Sequence, residues 1–314
     1  MDRRTHQRRA SRYTELRSTL NRNYTTWILL VWVNGAAAAQ VQLPDTDIFV
    51  AEIRWRDGRP IVSKPANATS RPGYDNQPSF TLDGQGILYT SIGADNQANI
   101  LRYDLATKSS RPFIQTVEGE YSASIMPDGK SLCVVRVEMD STQRLWKFDS
   151  TGSNPRLLFP ALKPVGYYAW GSDYRAAVFV LGSPPVLQLA DVRSGSAEIV
   201  ERGIGRCIQK VPGETSVSFV HKRSESEWWI VRLDVETGTK TPIIQTMKNV
   251  EDYCWLPDSS IVCGSGSKLF RWKAGSEWEE VADFSSAGVT NITRLAVDPS
   301  GQRIAIVAIP QKEK

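Results

Sequence analysis

Residues Tyr74–Ser91 read YDNQPSFTLDGQGILYTS. Pro78, Ser79 and Phe80 have strand character, Ile87, Leu88 and Tyr89 form a second apolar strand, and Asp83-Gly84 supplies the positive-φ residues that reverse a chain tightly. The stretch is a β-hairpin. One hairpin is marginal in water, so its weight rests on recurrence. It recurs as EGEYSASIMPDGKSLCVVRV from Glu118, VGYYAWGSDYRAAVFVLG from Val165, GRCIQKVPGETSVSFVH from Gly205, NVEDYCWLPDSSIVCGSG from Asn249 and NITRLAVDPSGQRIAIVA from Asn291. Aligned on their turns, Asp83, Asp128, Asp173, Gly213, Asp258 and Ser300 fall in one column, at intervals of 45, 45, 40, 45 and 42 residues.

That period is the length of a four-stranded propeller blade. Ten Trp, ten Tyr and nine Phe agree with an all-β chain. Three residues before the turn column stand Phe80, Ile125, Trp170, Lys210, Trp255 and Val297, a column expected to pack between blades. Lys210 breaks it, and Ile208, of the same strand parity, is the replacement expected there. Each of the first five hairpins is followed by a second strand pair, as in ILRYDLATKSS or WIVRLDVETGT. Asp104, Asp149, Asp191 and Asp234 align at the end of its first strand, with Lys273 departing from the pattern; the aspartates are expected to cap the following turn. The sixth hairpin has no such pair after it. Asp47–Val62, DIFVAEIRWRDGRPIV, has the missing form. The expectation is a single all-β, six-bladed β-propeller over residues 45–310, its ring closed by N-terminal outer strands pairing with C-terminal inner strands, and a short polar tail at 311–314.

Residues 1–39 carry seven Arg against Asp2 and Glu15, so the net charge of +4 becomes −1 without them. The run WILLVWVNGAAAAQ follows, with small residues before Gln40. A basic region, an apolar region and an A-x-A site make a secretory signal peptide, cleaved near Ala39/Gln40, and a periplasmic or secreted mature protein. An uncleaved membrane anchor, which would give the chain its only membrane contact, or a basic tail is the alternative. Because the basic footprint sits only in this leader, a nucleic-acid partner is not expected.

The pattern D-x-x-P-x-F-x-x-D-G-x-x-I-L-Y-x-S from Asp75 to Ser91, echoed in M-P-D-G-K-S-L from Met126, resembles the repeat of TolB-type, WD-repeat-like propellers. The likeness covers about residues 45–310. It implies a propeller without the α/β domain that precedes it in that family, and a docking role among envelope proteins or peptides, with a monomer expected.

Propeller ligands meet the ring at the mouth of the central channel. The loops leading into the innermost strands carry Tyr74, Asp75, Glu120, Tyr121, Tyr167, Tyr168, Arg206, Asp252, Tyr253 and Arg294. Aromatic residues with mixed charge suit peptide or glycan binding, since Tyr offers a large face with a hydrogen-bonding tip. In the competing reading Tyr168 and Tyr253 pack between blades and Asp75 caps a loop. Calcium-dependent hydrolase or lactonase propellers need several oxygen ligands converging in the channel; Asp75, Glu120 and Asp252 come from three different blades, without an acidic pairing. There is no G-x-S-x-G, and His6 and His221 are the only His. No catalytic residue, metal or cofactor is expected, and a non-catalytic binding platform leads over a carbohydrate-binding or calcium-dependent hydrolytic propeller. Adjacent Trp228 and Trp229 are expected to point to opposite faces, one into the core and the other as an exposed aromatic contact at the blade edge. Cys254 and Cys263 flank the turn at Pro257-Asp258-Ser259 symmetrically, which makes them candidates for a disulfide or two small buried apolar residues.

Overall fold

In a computed structural model that describes residues 43–311, the hairpin of Tyr74 lies in a sheet of four antiparallel strands, Tyr74–Phe80, Gly86–Ile92, Ala98–Asp104 and Ser109–Ile114. This is blade one. Blades two to five follow as four-stranded sheets starting at Gly119–Ile125, Val165–Trp170, Ile204–Lys210 and Tyr253–Trp255. Blade six has the composite origin expected. Its inner strands are Val289–Val297 and Arg303–Pro310, and Asp47–Arg56 pairs with the latter from Asp47 opposite Ala308 to Glu52 opposite Arg303. Arg59–Val62 completes the sheet, and a short fifth strand, Ala66–Asn67, pairs with Phe49 and Val50. That fifth strand was not foreseen. Two residues are too few to carry a sequence pattern.

The core is divided among the blade interfaces, and period-2 alternation explains how. In Gly86–Ile92, Ile87 and Tyr89 face blade six with Ile48, Ala305 and Val307, whereas Leu88 faces blade two with Leu132, Val134 and Phe148. Both faces of a middle strand are packed, so it reads as a continuous apolar run, every residue of it buried. Burying each such Ile or Leu stabilises the fold by about 1.5–3 kcal/mol. Lys210 departs from the packing column as expected: Ile208 fills the interface with blade three, beside Ala177 and Phe179, and Lys210 Nζ instead reaches the Gly171 carbonyl. Trp228 and Trp229 are both half-buried, one against the blade four–five cluster and the other against the blade three–four cluster. Neither is the free aromatic contact anticipated, because both faces of a blade are covered by neighbours.

The turn chemistry follows the aspartate column. Asp128 Oδ1 accepts from the Lys130 and Ser131 amides at 2.9 and 2.8 Å. Gly213 holds the column position in blade four at φ 73°, in blade three Ser172 Oγ accepts from the Arg175 amide at 3.3 Å, and in blade six Asp298 Oδ1 accepts from the Arg303 amide at 2.8 Å. The second aspartate column caps as expected: Asp104 Oδ1 accepts from the Thr107 amide at 2.8 Å, and Asp234 Oδ1 likewise from Thr237 at 2.8 Å. Where Lys273 replaces the aspartate, Ser276 Oγ accepts from the Lys273 amide at 3.2 Å.

These caps carry a pH signature. The Thr107 amide holds the Asp104 carboxyl below its ordinary pKa, the Thr151 hydroxyl does so for Asp149, and the Thr237 amide for Asp234. A depressed folded pKa means stability that is present above the unfolded pKa, near 4, and is lost as pH falls through the folded value. The melting temperature is expected to fall between pH 4 and pH 2, and Asp104→Asn, Asp149→Asn and Asp234→Asn together should flatten that fall; an equal slope in the triple variant would show that the caps do not titrate with folding.

The register separates the two cysteines proposed to bridge. Cys263 lies opposite Tyr253, and Cys254 opposite Val262. Cys254 therefore faces the blade five–six cluster and Cys263 the blade four–five cluster. Both are free buried thiols, so the disulfide is excluded and the apolar reading of the pair holds.

Candidate functional site

The innermost strands run from the channel mouth towards the Asp-Gly turns. At their start the pairing with the second strand is interrupted: the register shifts between Asn76 and Ser79, Tyr121 and Ser124, Val165 and Tyr167, Ile204 and Ile208, and Thr290 and Arg294. Such bulges re-aim side chains. In blade one the bulge is held at Gln77, φ 57°, whose Oε1 accepts from the Ser122 amide of blade two at 2.9 Å and from the Thr90 hydroxyl at 2.7 Å.

Side chains from all six blades gather at this end, five of the blades carrying such a bulge. Arg206 Nε lies 3.0 Å from Glu251 Oε1 and 3.2 Å from Asp252 Oδ2. Glu251 also pairs with Lys222. Arg294 stands 4.6 Å over the Tyr167 ring, with Asp252 Oδ1 at 3.7 Å. Tyr74, in blade one beside the blade of Arg294, is buried, and its hydroxyl is pushed well above the usual tyrosine range first by that burial and then by Tyr167, while Arg294 and Arg206 act the other way. Burial, then Tyr167 and Glu120, pushes Tyr121 up to about 12. Burial acts to lower the pKa of Arg294, but Tyr167 and Asp252 outweigh it, and Arg206 is likewise raised against its burial by Asp252 and Tyr167. At neutral pH Tyr74 and Tyr121 are neutral donors and both arginines are charged.

The other four expected residues serve the scaffold. Tyr168 lies against Ser124 Oγ at 2.9 Å and donates to the Ser122 carbonyl at 2.8 Å, which ties blade three to blade two. Tyr253 donates to Ser218 Oγ of blade four at 2.7 Å. Asp75 is closed off beneath Arg71 and Ser91. Glu120 accepts from Thr116 Oγ1 at 2.6 Å and Arg136 at 3.2 Å, and Arg136 also holds Glu118 at 2.7 Å. Burial raises the carboxyl pKa of both Asp75 and Glu120. All four stand on the aligned positions, but strand parity turns Tyr168 and Tyr253 into the blade interfaces and the two acids into their own blades. Tyr168→Phe should lower stability by about 1–2 kcal/mol through the stranded Ser122 carbonyl, without changing anything at the mouth; a loss of partner binding at unchanged stability would return Tyr168 to the site.

Glu251 and Lys222 were missed. Glu251 is adjacent to Asp252, and Lys222 ends the second strand of blade four, Ser216–Lys222, where the upward course of that strand brings it to the mouth. Among the described residues, no group of three or more His, Cys, Asp or Glu is placed to hold a metal ion. The arrangement brings together the tyrosines Tyr74, Tyr121 and Tyr167, two charged guanidinium groups and the Asp252 carboxylate.

No family model matches the sequence, and no curated protein sequence matches it significantly. Solved structures match by fold. The structure of putative TolB from Agrobacterium tumefaciens superposes with a TM-score of 0.67 at 16% identity, covering 85% of this chain and 99% of that one. TolB from Acinetobacter baumannii gives 0.55 at 14% identity over 85% of this chain and 65% of that one, so this chain spans just under two thirds of its length. An oligogalacturonate lyase in complex with manganese gives 0.53 at 15% identity, over 79% and 80%. The described residues form a TolB-like propeller. Because a lyase shares the fold, the choice between binding and chemistry falls to the site.

Proposed function

We propose that this chain is a non-catalytic, extracytoplasmic docking platform that takes a protein or peptide at its channel mouth. The observation that carries the reading is the convergence of Tyr74, Tyr121, Tyr167, Arg206, Asp252 and Arg294, one from each blade, on a single opening. Tyrosine and arginine are the residues that anchor protein interfaces. Two further side chains favour a macromolecule over a small ligand. Val117 and Met139 are 80% and 76% exposed, in loops brought together by the pairing of Gly119 with Val137, next to Tyr121. The signal-peptide pattern of residues 1–39, which lie outside the described residues, supports export, and the envelope is where a TolB-like propeller would meet such a partner.

The test is site-specific cross-linking in cells. A photoreactive phenylalanine in place of Tyr121 should cross-link to a protein partner, and the same group in place of Leu82, 57% exposed at the turn end of the same sheet layer, should not. Cross-links from Leu82 alone would place docking on the opposite face and overturn the reading.

A further inference from the structure

We infer that Gln77 and Thr90 of blade one are positioning residues that aim Tyr121 of blade two into the mouth. The inference rests on the docking role proposed above and names what sets the direction of one of its contact residues. In blade two Tyr121 lies opposite Val135 and Ser124 opposite Cys133, so Ser122 and Ala123 together stand against Val134 alone. In a regular strand residues two apart share a face, and Tyr121 would follow Ala123 into the blade one–two cluster with Leu88 and Leu132. The extra residue reverses this. Tyr121 packs instead on the blade two–three cluster, on the side of Tyr167, whose influence on the Tyr121 hydroxyl is second only to burial. Gly119 leaves room for the ring: a Cβ there would lie 3.2 Å from Tyr121 Cε2, and the Gly119 backbone is not in the left-handed region that favours glycine.

Ser122 carries the extra residue at φ 54°. A serine in the left-handed region persists only where its surroundings hold it there. Its own side chain does not, since among the described residues the buried Ser122 hydroxyl has no hydrogen-bond partner. Blade one does. The Ser122 amide donates to Gln77 Oε1 at 2.9 Å and to Thr90 Oγ1 at 3.1 Å, and the Thr90 hydroxyl donates to Gln77 Oε1 at 2.7 Å. Thr90 is fully buried and shares the parity of Leu88, which turns it towards blade two. Gln77 is itself left-handed at φ 57° and stands, like Ser122, six residues before its turn aspartate, so the bulge residue of one blade fixes that of the next. The bonded amide belongs to the Tyr121–Ser122 peptide plane, and pinning that plane fixes the backbone on which the Tyr121 side chain stands. Tyr168 holds the other plane, donating to the Ser122 carbonyl at 2.8 Å from blade three.

The test compares the full chain with Gln77→Met/Thr90→Val, Gln77→Glu and Tyr168→Phe by NMR. Through-space contact between the Tyr121 ring and the Gly119 Hα protons reads the aim, and exchange of the Ser122 amide reads the clamp. Methionine and valine keep the volume and remove both acceptors. The double variant should lose the ring contact and exchange the Ser122 amide at least about tenfold faster. Gln77→Glu retains acceptor oxygens at the same reach and should preserve both readings. Tyr168→Phe should lower the melting temperature yet keep the ring contact, which separates aim from stability. A Tyr121–Gly119 contact retained in the double variant overturns the inference, as does its equal loss in Tyr168→Phe, because the aim would then follow stability alone. None of these readings needs a partner, so the failure of this inference is separable from that of the docking role. Cross-linking from position 121 with the ring unmoved in the double variant leaves docking standing and removes the positioning pair. Release of the ring in the double variant with cross-links only from position 82 does the reverse.

Discussion

Deletion of residues 45–63 abolishes the cooperative unfolding transition or lowers the melting temperature by more than about 20 °C, taking about 2–4 °C per kcal/mol for a domain of this size. The segment contributes Ile48 to the blade six–one interface and Phe49, Ala51 and Ile53 to the blade five–six interface, all nearly inaccessible. Truncating single side chains of this kind costs about 2–5 kcal/mol each, and their sum is comparable with the whole stability of a domain, about 5–15 kcal/mol. The deletion also bares the edge of Arg303–Pro310, a strand whose middle is fully buried, and an open apolar edge invites pairing with other chains. Aggregation should therefore accompany the loss of stability. Calorimetry of the deletion variant decides it, and a wild-type transition would mean that the ring closes some other way.

Arg271→Met is expected to have the next largest effect, about 3 kcal/mol or 6–12 °C. Arg271 is 4% exposed and holds Asp258 at 2.7 Å and Glu279 at 3.2 Å, while donating to Ser260 Oγ at 3.0 Å. It also donates to the Gly58 carbonyl at 3.3 Å, across the seam, and lies 5.9 Å from the Trp55 ring. One buried cation thus pins the N-terminal hairpin to blade five. Methionine keeps the stem but leaves Asp258, among the described residues, with Lys273 at 3.2 Å as its one cation beside the Ser260 donors. Removing one partner from a buried ion pair strands the other, which is why the loss exceeds that of a surface pair. If thermal unfolding of Arg271→Met matched wild type, the seam would be held by apolar packing alone.

The architecture was legible because it is written six times. A tight Asp-Gly turn leaves the same mark wherever it occurs, and the second aspartate column marks the other end of each blade by the same local chemistry. The composite sixth blade followed from one unpaired hairpin and one orphan strand pair. Residues at the mouth were legible only as positions. Alignment brought ten side chains to the channel end, but whether each faces the channel or a neighbouring blade depends on strand parity and on bulges that insert one residue in blades one to three, two in blades four and six and none in blade five. Tyr167 and Tyr168 are adjacent in sequence, yet one lies under Arg294 and the other is bonded into blade two. Glu251 and Lys222 escaped notice because they meet across two blades, a proximity that no repeat encodes. The disulfide failed on parity as well: symmetry about a turn does not place two residues on the same face.

The central claim is that partners bind at the mouth through the converged tyrosines and arginines. Its most direct test is the affinity of the cross-linked partner, once isolated, for wild type, for Arg294→Glu and for Lys130→Glu, the last an exposed change in a turn at the far end of blade two. The account predicts at least about a tenfold loss for Arg294→Glu, as for a buried charged anchor at an interface, with Lys130→Glu unchanged. Equal affinities for wild type and Arg294→Glu, with binding lost in Lys130→Glu, would contradict it.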